Sequence, residues 1–213
     1  MAFSIRDPLL AKIKDKASII AQLILSYPKL LEEWEIEQEN KFRNEAKEIA
    51  EGDNEIESSI YRQLISTFDD DEDLRDVFYQ SMLLMSVSYY ESMVNLLSKE
   101  AKTKDLILAI CAKRNITLSP EVLSDIEYID DEVMALRNNI CHNNSGTPRK
   151  TDLINRIANS SEEISFTNDV ISITGPNYIL DVLKKEVGIL TEIAKKLGHK
   201  NKLYSNGKTI NLE

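Results

Sequence analysis

Ala135-Leu136-Arg137-Asn138-Asn139-Ile140-Cys141-His142-Asn143-Asn144-Ser145-Gly146 reads as the last turns of a helix running into its own stop signals. Leu136 and Ile140 stand four apart, the spacing of one helical face. Asn143, Asn144 and Gly146 are residues that commonly end helices through left-handed backbone. Two side chains on this helix end carry chemistry. Arginine is a permanent cation whose planar fork holds two phosphate oxygens, and histidine both takes and gives protons near neutrality. Together Arg137 and His142 suit phosphodiester chemistry without a metal. Five residues apart on a regular helix, they point roughly 140 degrees away from each other, so one chain cannot aim both at one point. Asn138 and His142, four apart, do share a face. Two copies meeting about a two-fold axis at this helix end would bring both pairs into one groove. The plainer reading is a cap, in which basic side chains oppose the negative end of the helix dipole for about 0.3–1 kcal/mol.

Working outward, 213 residues with 42% hydrophobic content can bury a real core. Cys111 and Cys141 lack metal-site spacing and no stretch reads as a signal peptide, so a reducing cytoplasm without disulfides is expected. The most apolar early stretch, Ala17 to Leu25, is too short to span a bilayer, and no membrane role is expected. A net charge of -10 argues against nonspecific coating of nucleic acid, since phosphate contacts supply most such affinity. The charge is uneven, however: Glu32 to Asp76 is strongly acidic, whereas Arg149, Lys150, Arg156, Lys184, Lys185, Lys195, Lys196, Lys200, Lys202 and Lys208 crowd the C-terminal third.

The pattern predicts a mainly α fold, a helical bundle with one small β-hairpin before the last helix. Asp7-Pro8 starts a first helix that should end near Ser26, and Pro28 should begin a second, Leu30 to Ala50, closed by Gly52. A third spans Glu55 to Phe68 and stops at the acidic run Asp69 to Asp73, which lacks the glycine and bidentate glutamate of a calcium loop and reads as solvated. Leu74 to Ala101 is the longest pattern, with a broad apolar surface that suits the central helix of a bundle. In it Glu91 lies among tyrosine, methionine and leucine, and a partly buried carboxylate wants a cation; Arg137 is the candidate. A short helix, Lys104 to Lys113, and another from Ser119-Pro120 lead to the opening stretch. Thr147-Pro148 turns the chain, Leu153, Ile154 and Ile157 mark one more helical segment, and Ile164 to Ile173 reads as a hairpin around Thr167-Asn168-Asp169. The final helix, Tyr178 to Leu197, carries Ile179, Val182, Leu183, Val187, Leu190 and Ile193. His199 and the residues after it read as tail. The expected organisation is therefore an N-terminal helical extension (1–73), a helical domain (74–198) and a mobile tail (199–213).

As an ordered set, the helix bearing Tyr89-Tyr90-Glu91, the helix ending Leu136-Arg137-Asn138-Asn139-Ile140-Cys141-His142, the hairpin and the last amphipathic helix resemble the HEPN superfamily, over about Leu74 to Leu197. Many of its members are metal-independent ribonucleases, often toxins or phage-defence effectors, with an arginine, four to six residues and a histidine at the active site. The resemblance implies Arg137 and His142 as the catalytic pair, Asn138 as the supporting polar residue and Glu91 as an active-site carboxylate, with no metal or other cofactor. It implies a homodimer with a composite site, RNA as substrate in single-stranded loops of tRNA or mRNA, and a possible protein partner or neutralising antitoxin. One departure is Asn144, which stands where toxins silenced by nucleotidyltransferases carry a tyrosine. The helices from Asp7 to Phe68 match no part of the family.

Two other readings fit the same residues. A non-catalytic relative would act as a binding or scaffold subunit through the acidic Glu32 to Asp76 segment. An unrelated helical interaction protein would use the Arg137–His142 stretch only as a capped helix end.

Overall fold

The computed structural model describes residues 2–66, 71–97, 103–142, 150–205 and 208–211. The fold is mainly α with the hairpin where the sequence puts it. Strand β1 (Ala2–Ile5) is followed by helices α1 (Pro8–Ile49), α2 (Asn54–Ser66), α3 (Asp71–Leu97), α4 (Thr103–Arg114) and α5 (Pro120–Tyr128). A π-helical turn, Ile129–Val133, joins α5 to α6 (Met134–His142). Then come α7 (Thr151–Ser160), the hairpin β2 (Ile164–Thr167) and β3 (Val170–Ile173), α8 (Asn177–Lys196), and strands β4 (Lys202–Ser205) and β5 (Lys208–Asn211). Phe68, the start of the acidic run at Asp69-Asp70, the caps Asn143 to Gly146, the Thr147-Pro148 turn and Asn206-Gly207 lie outside the described residues.

The first difference from expectation is α1. It runs unbroken through Pro28, and at 42 residues it is longer than α3. Proline lacks the N–H for one intrahelical bond and costs about 3 kcal/mol in a helix interior. Contacts on both sides of Pro28 offset that loss. Tyr27 stacks on Phe78 with ring centroids 3.5 Å apart and donates its hydroxyl to the Leu74 carbonyl at 3.3 Å. Beyond the proline, Leu31 is buried and Glu35 pairs with Arg75 at 2.9 Å. Helix α3 thus grips α1 across the proline and holds it in line.

The N-terminal helices also do not separate at residue 73. Leu10, Ile13, Ala17, Ile20 and Ile24 share one core cluster with Leu83, Met93, Leu136, Ile157, Ile173 and Leu190. The part of α1 beyond Glu35 behaves as an extension, since it packs with α2, which buries no residue fully. Tyr61 and Arg43 both bond Glu39, at 2.8 and 2.7 Å, and Arg43 lies over the Tyr61 ring. Together these bonds keep the Glu39 carboxyl below its usual range. Gly52, in left-handed backbone at φ +96°, makes the turn between the two helices, and Asp53 accepts from the first N–H groups of α2.

The segment expected as a tail forms strands instead. β1, β4 and β5 make an antiparallel sheet in that order, with Ile5 opposite Lys202 and Ser205 opposite Lys208. Single-strand patterns at the two ends of a chain are weak, and only their pairing satisfies the backbone groups. The junction is fastened by side chains: Asp7 caps α1 through the N–H groups of Leu9 and Leu10, its own N–H donates to Asn201, and His199 Nδ1 lies 3.2 Å from its carboxylate.

The hairpin follows the sequence closely. Asn168 and Asp169 both take positive φ, which matches a two-residue turn of the kind that suits twisted strands. Asp76 of α3 accepts from the Ile173 N–H at 2.7 Å and from Gln80, and Gln80 also donates to the Ile171 carbonyl. Glu163 leads into β2 and accepts from the Tyr178 N–H at 2.7 Å, capping α8 from outside. A Cβ at Gly175 would sit 2.5 Å from the Glu163 carboxylate, so only glycine leaves that cap in place.

Candidate functional site

α6 is positioned by the helix before it. Ser119 caps α5, donating from its hydroxyl to Glu192 at 2.9 Å and accepting from the Val122 N–H. Val122, Ile126, Ile129, Val133 and Leu136 are then buried in succession, so a single apolar stripe runs from α5 through the π turn into α6. Such a turn adds a residue to the helical repeat and is frequent beside functional sites. The stripe seats α6 against α3, and Asn139 closes the buried face with its amide on the Ala135 carbonyl at 2.8 Å.

That seating turns Arg137, Asn138 and His142 outward. Arg137 is half-buried, while Asn138 and His142 are exposed. Arg137 Nη1 donates to Asn138 Oδ1 at 2.9 Å, so the asparagine steadies the guanidinium that precedes it. Because α6 is regular from Met134 to His142, Arg137 and His142 diverge as the sequence requires, by roughly 140 degrees about the helix axis. One chain does not bring the two together. Glu91, half-buried on α3, is not joined to Arg137 by any ion pair among the described residues, so the expected pairing is not formed. The apolar stripes of α3 and α6 decide where each helix turns its polar residues.

One buried polar group escaped the sequence reading. Glu186 is completely buried between α8 and α3, where Ser86, also fully buried, donates to its Oε2 at 2.6 Å. Its Oε1 has no hydrogen-bond partner among the described residues. Burial pushes its carboxyl up to about 8, with the Glu91 charge adding and the Ser86 bond opposing. The signal was present: at helical spacing, 186 falls in the middle of the stripe set by Val182, Ile179 and Leu190, whereas Val187, taken as a core residue, lies at its edge and is only half-buried. Tyr89 and Tyr90 are buried nearby, and both phenols are pushed up by burial. The Tyr89 hydroxyl donates to the Ile13 carbonyl at 2.9 Å, so this tyrosine ties α3 to α1.

Cys111 and Cys141 are both free thiols, the first buried and the second exposed beside His142. No helix among the described residues is long and apolar enough to cross a membrane. No protein-family model matches the chain, and no curated protein or solved structure matches it.

Proposed function

We propose that the chain is a metal-independent endoribonuclease of the HEPN type, acting as a homodimer on single-stranded regions of RNA in the cytoplasm, in a toxin or phage-defence setting. The observation that carries this reading is the outward display of Arg137, Asn138 and His142 on the terminal turns of α6, with the guanidinium already held by Asn138. Their divergence on one helix calls for a second copy, whose symmetric α6 end supplies the missing half of the groove. In that groove the ribose 2'-hydroxyl attacks the adjacent phosphorus as the P–O5' bond breaks, giving a 2',3'-cyclic phosphate and a free 5'-hydroxyl. Histidine takes the 2'-hydroxyl proton, and histidine of the other copy returns one to the leaving oxygen. Arg137 stabilises the charge that develops on the phosphoryl oxygens, an interaction worth most when it strengthens in the transition state. Unpaired loops suit this chemistry because a free ribose can reach in-line geometry.

The test incubates wild-type and His142→Ala protein with total RNA in chelator and maps the new ends. Cyclic-phosphate ends made by the wild type and lost in a variant that still folds and dimerises support the proposal. Cleavage that survives the substitution, or wild-type protein that leaves RNA intact, sinks it. A second reading, a non-catalytic scaffold subunit, is favoured by a different surface: Leu30, Ile36, Ile49 and Ile56 of the α1–α2 unit are all about half exposed, at 58, 53, 55 and 48%. On that reading His142→Ala leaves function unchanged.

A further inference from the structure

Basic residues that lie far apart in the sequence meet at one cavity. A groove of about 580 Å³ opens where α5 and the start of α1 pack on α8. Its charged groups sort by what already holds them. Lys185 is paired with Asp125 at 2.9 Å and lies 4.0 Å from Asp181, and Glu192 is engaged by the Ser119 N–H and hydroxyl. Lys14 of α1 and Lys184 and Lys195 of α8 also line the groove, and none of the three has a carboxylate within 4.0 Å among the described residues. Glu121 is the remaining carboxylate on the wall.

The floor is unusual for a helix face. Lys184, Gly188, Thr191 and Lys195 follow at intervals of four, three and four, so they form one row along α8. A Cβ at Gly188 would meet no atom within 4 Å, which leaves bare backbone between the two lysines. Thr191 Oγ1, in the same wall, is buried without a hydrogen-bond partner among the described residues, and threonine in a helix has a second rotamer open to it. Lys184 and Lys195 lie about 16 Å apart along the helix axis, further than a single phosphate group extends. The row therefore fits a chain of phosphates better than one small anion.

We propose that this groove binds the phosphodiester backbone of single-stranded RNA, with Lys14, Lys184 and Lys195 as the cations and Gly188 as the gap through which the strand approaches the helix. The proposal rests on the ribonuclease reading for its choice of ligand, and it places part of the substrate on α8, away from the α6 chemistry. The wall carries four ammonium groups, Lys14, Lys184, Lys185 and Lys195, against four carboxylates, Glu121, Asp125, Asp181 and Glu192, so the strand is held by the placement of the three lysines outside any ion pair and not by net positive charge.

The test measures fluorescence anisotropy of a labelled 2'-O-methyl oligouridylate, which binds but cannot be cleaved by its own 2'-oxygen. Replacing Lys14, Lys184 and Lys195 together by alanine should weaken binding at least tenfold and lower the log–log salt slope by about two, the value for three phosphate contacts on a single strand. Gly188→Leu fills the gap while keeping every charge and raising helix propensity, so it should weaken binding while far-UV circular dichroism and thermal midpoint are retained. Affinity and slope unchanged in the triple variant overturn the proposal, as does a wild-type protein that does not bind the oligonucleotide. Displacement by inorganic tripolyphosphate as effective as by unlabelled RNA, at equal phosphate, overturns the assignment to a nucleotide chain. A wild type that binds through these lysines yet cuts no RNA leaves the groove standing and removes the nuclease reading. Loss of cleavage in His142→Ala with lysine-independent binding does the reverse.

Discussion

Replacing Glu186 by glutamine should remove a pH dependence that the buried carboxyl builds into the fold. Free in the unfolded chain this carboxyl titrates near 4.5, and in the folded chain burial raises it to about 8. Between those values the folded state holds a proton that the unfolded state has released, so stability falls as pH rises through the window. Below the window both states are protonated and the loss is absent; above it the full penalty applies. Each unit of separation is worth roughly 1.4 kcal/mol, so the whole window is of order 5 kcal/mol. That is a large part of the 5–15 kcal/mol that typically separates folded from unfolded domains. Glutamine keeps the shape and offers its amide oxygen to the Ser86 hydroxyl but has no proton to lose. Urea unfolding at pH 5, 7 and 9 should show the wild type weakening with pH relative to Glu186→Gln, the gap widening by about 1 kcal/mol per unit near neutrality. Other titrating groups cancel in the comparison. A gap that stays constant from pH 5 to 9 would refute the reasoning, because it would mean that the carboxyl is ionised in the fold throughout.

Two further outcomes probe α1. Ile24→Ala, at a site with no exposure, should cost about 2–5 kcal/mol, whereas Ile56→Ala on α2, 48% exposed, should stay within about 0.5 kcal/mol. Equal costs in denaturant unfolding would mean that the proximal half of α1 is not part of the core. Asp7→Ala should cost about 0.5–2 kcal/mol through loss of the α1 cap. Burial works against ionisation of Asp7, yet the Leu10 and Leu9 N–H groups and His199 together hold its carboxyl below the usual 3.8. Its contribution is therefore complete above that value and fades only as pH falls below it. Wild type and variant should differ in thermal midpoint at pH 6 and converge toward pH 2; a difference that persists at pH 2 counts against the carboxylate as the cap.

Local signals carried most of the helical framework. Ser119-Pro120 and Asp7-Pro8 start helices because a short polar side chain satisfies the first N–H groups and proline needs none, and both starts are found where they read. Asn168-Asp169 fixes the hairpin because the turn needs positive φ that these residues tolerate. The divergence of Arg137 and His142 also follows from spacing alone, since it depends only on the pitch of α6.

What the sequence could not decide is what meets across long separations. Pro28 marks a break by every local rule, and it is contacts with α3, among them the stacking of Tyr27 on Phe78 and the Glu35–Arg75 pair, that keep α1 whole. Strands β1 and β4, nearly the whole chain apart, have no meaning singly, because a strand's backbone groups are satisfied by a partner and not by neighbours in sequence. Glu186 stands in the middle of the apolar stripe of α8, and it is the packing of α3 over that stripe that buries its carboxyl. Lys14 comes to line a groove with Lys184 and Lys195 because α1 packs on α8. Caps, turns and helical pitch are short-range and leave their mark on adjacent residues; burial and charge convergence are sums over neighbours that exist only once the chain has folded.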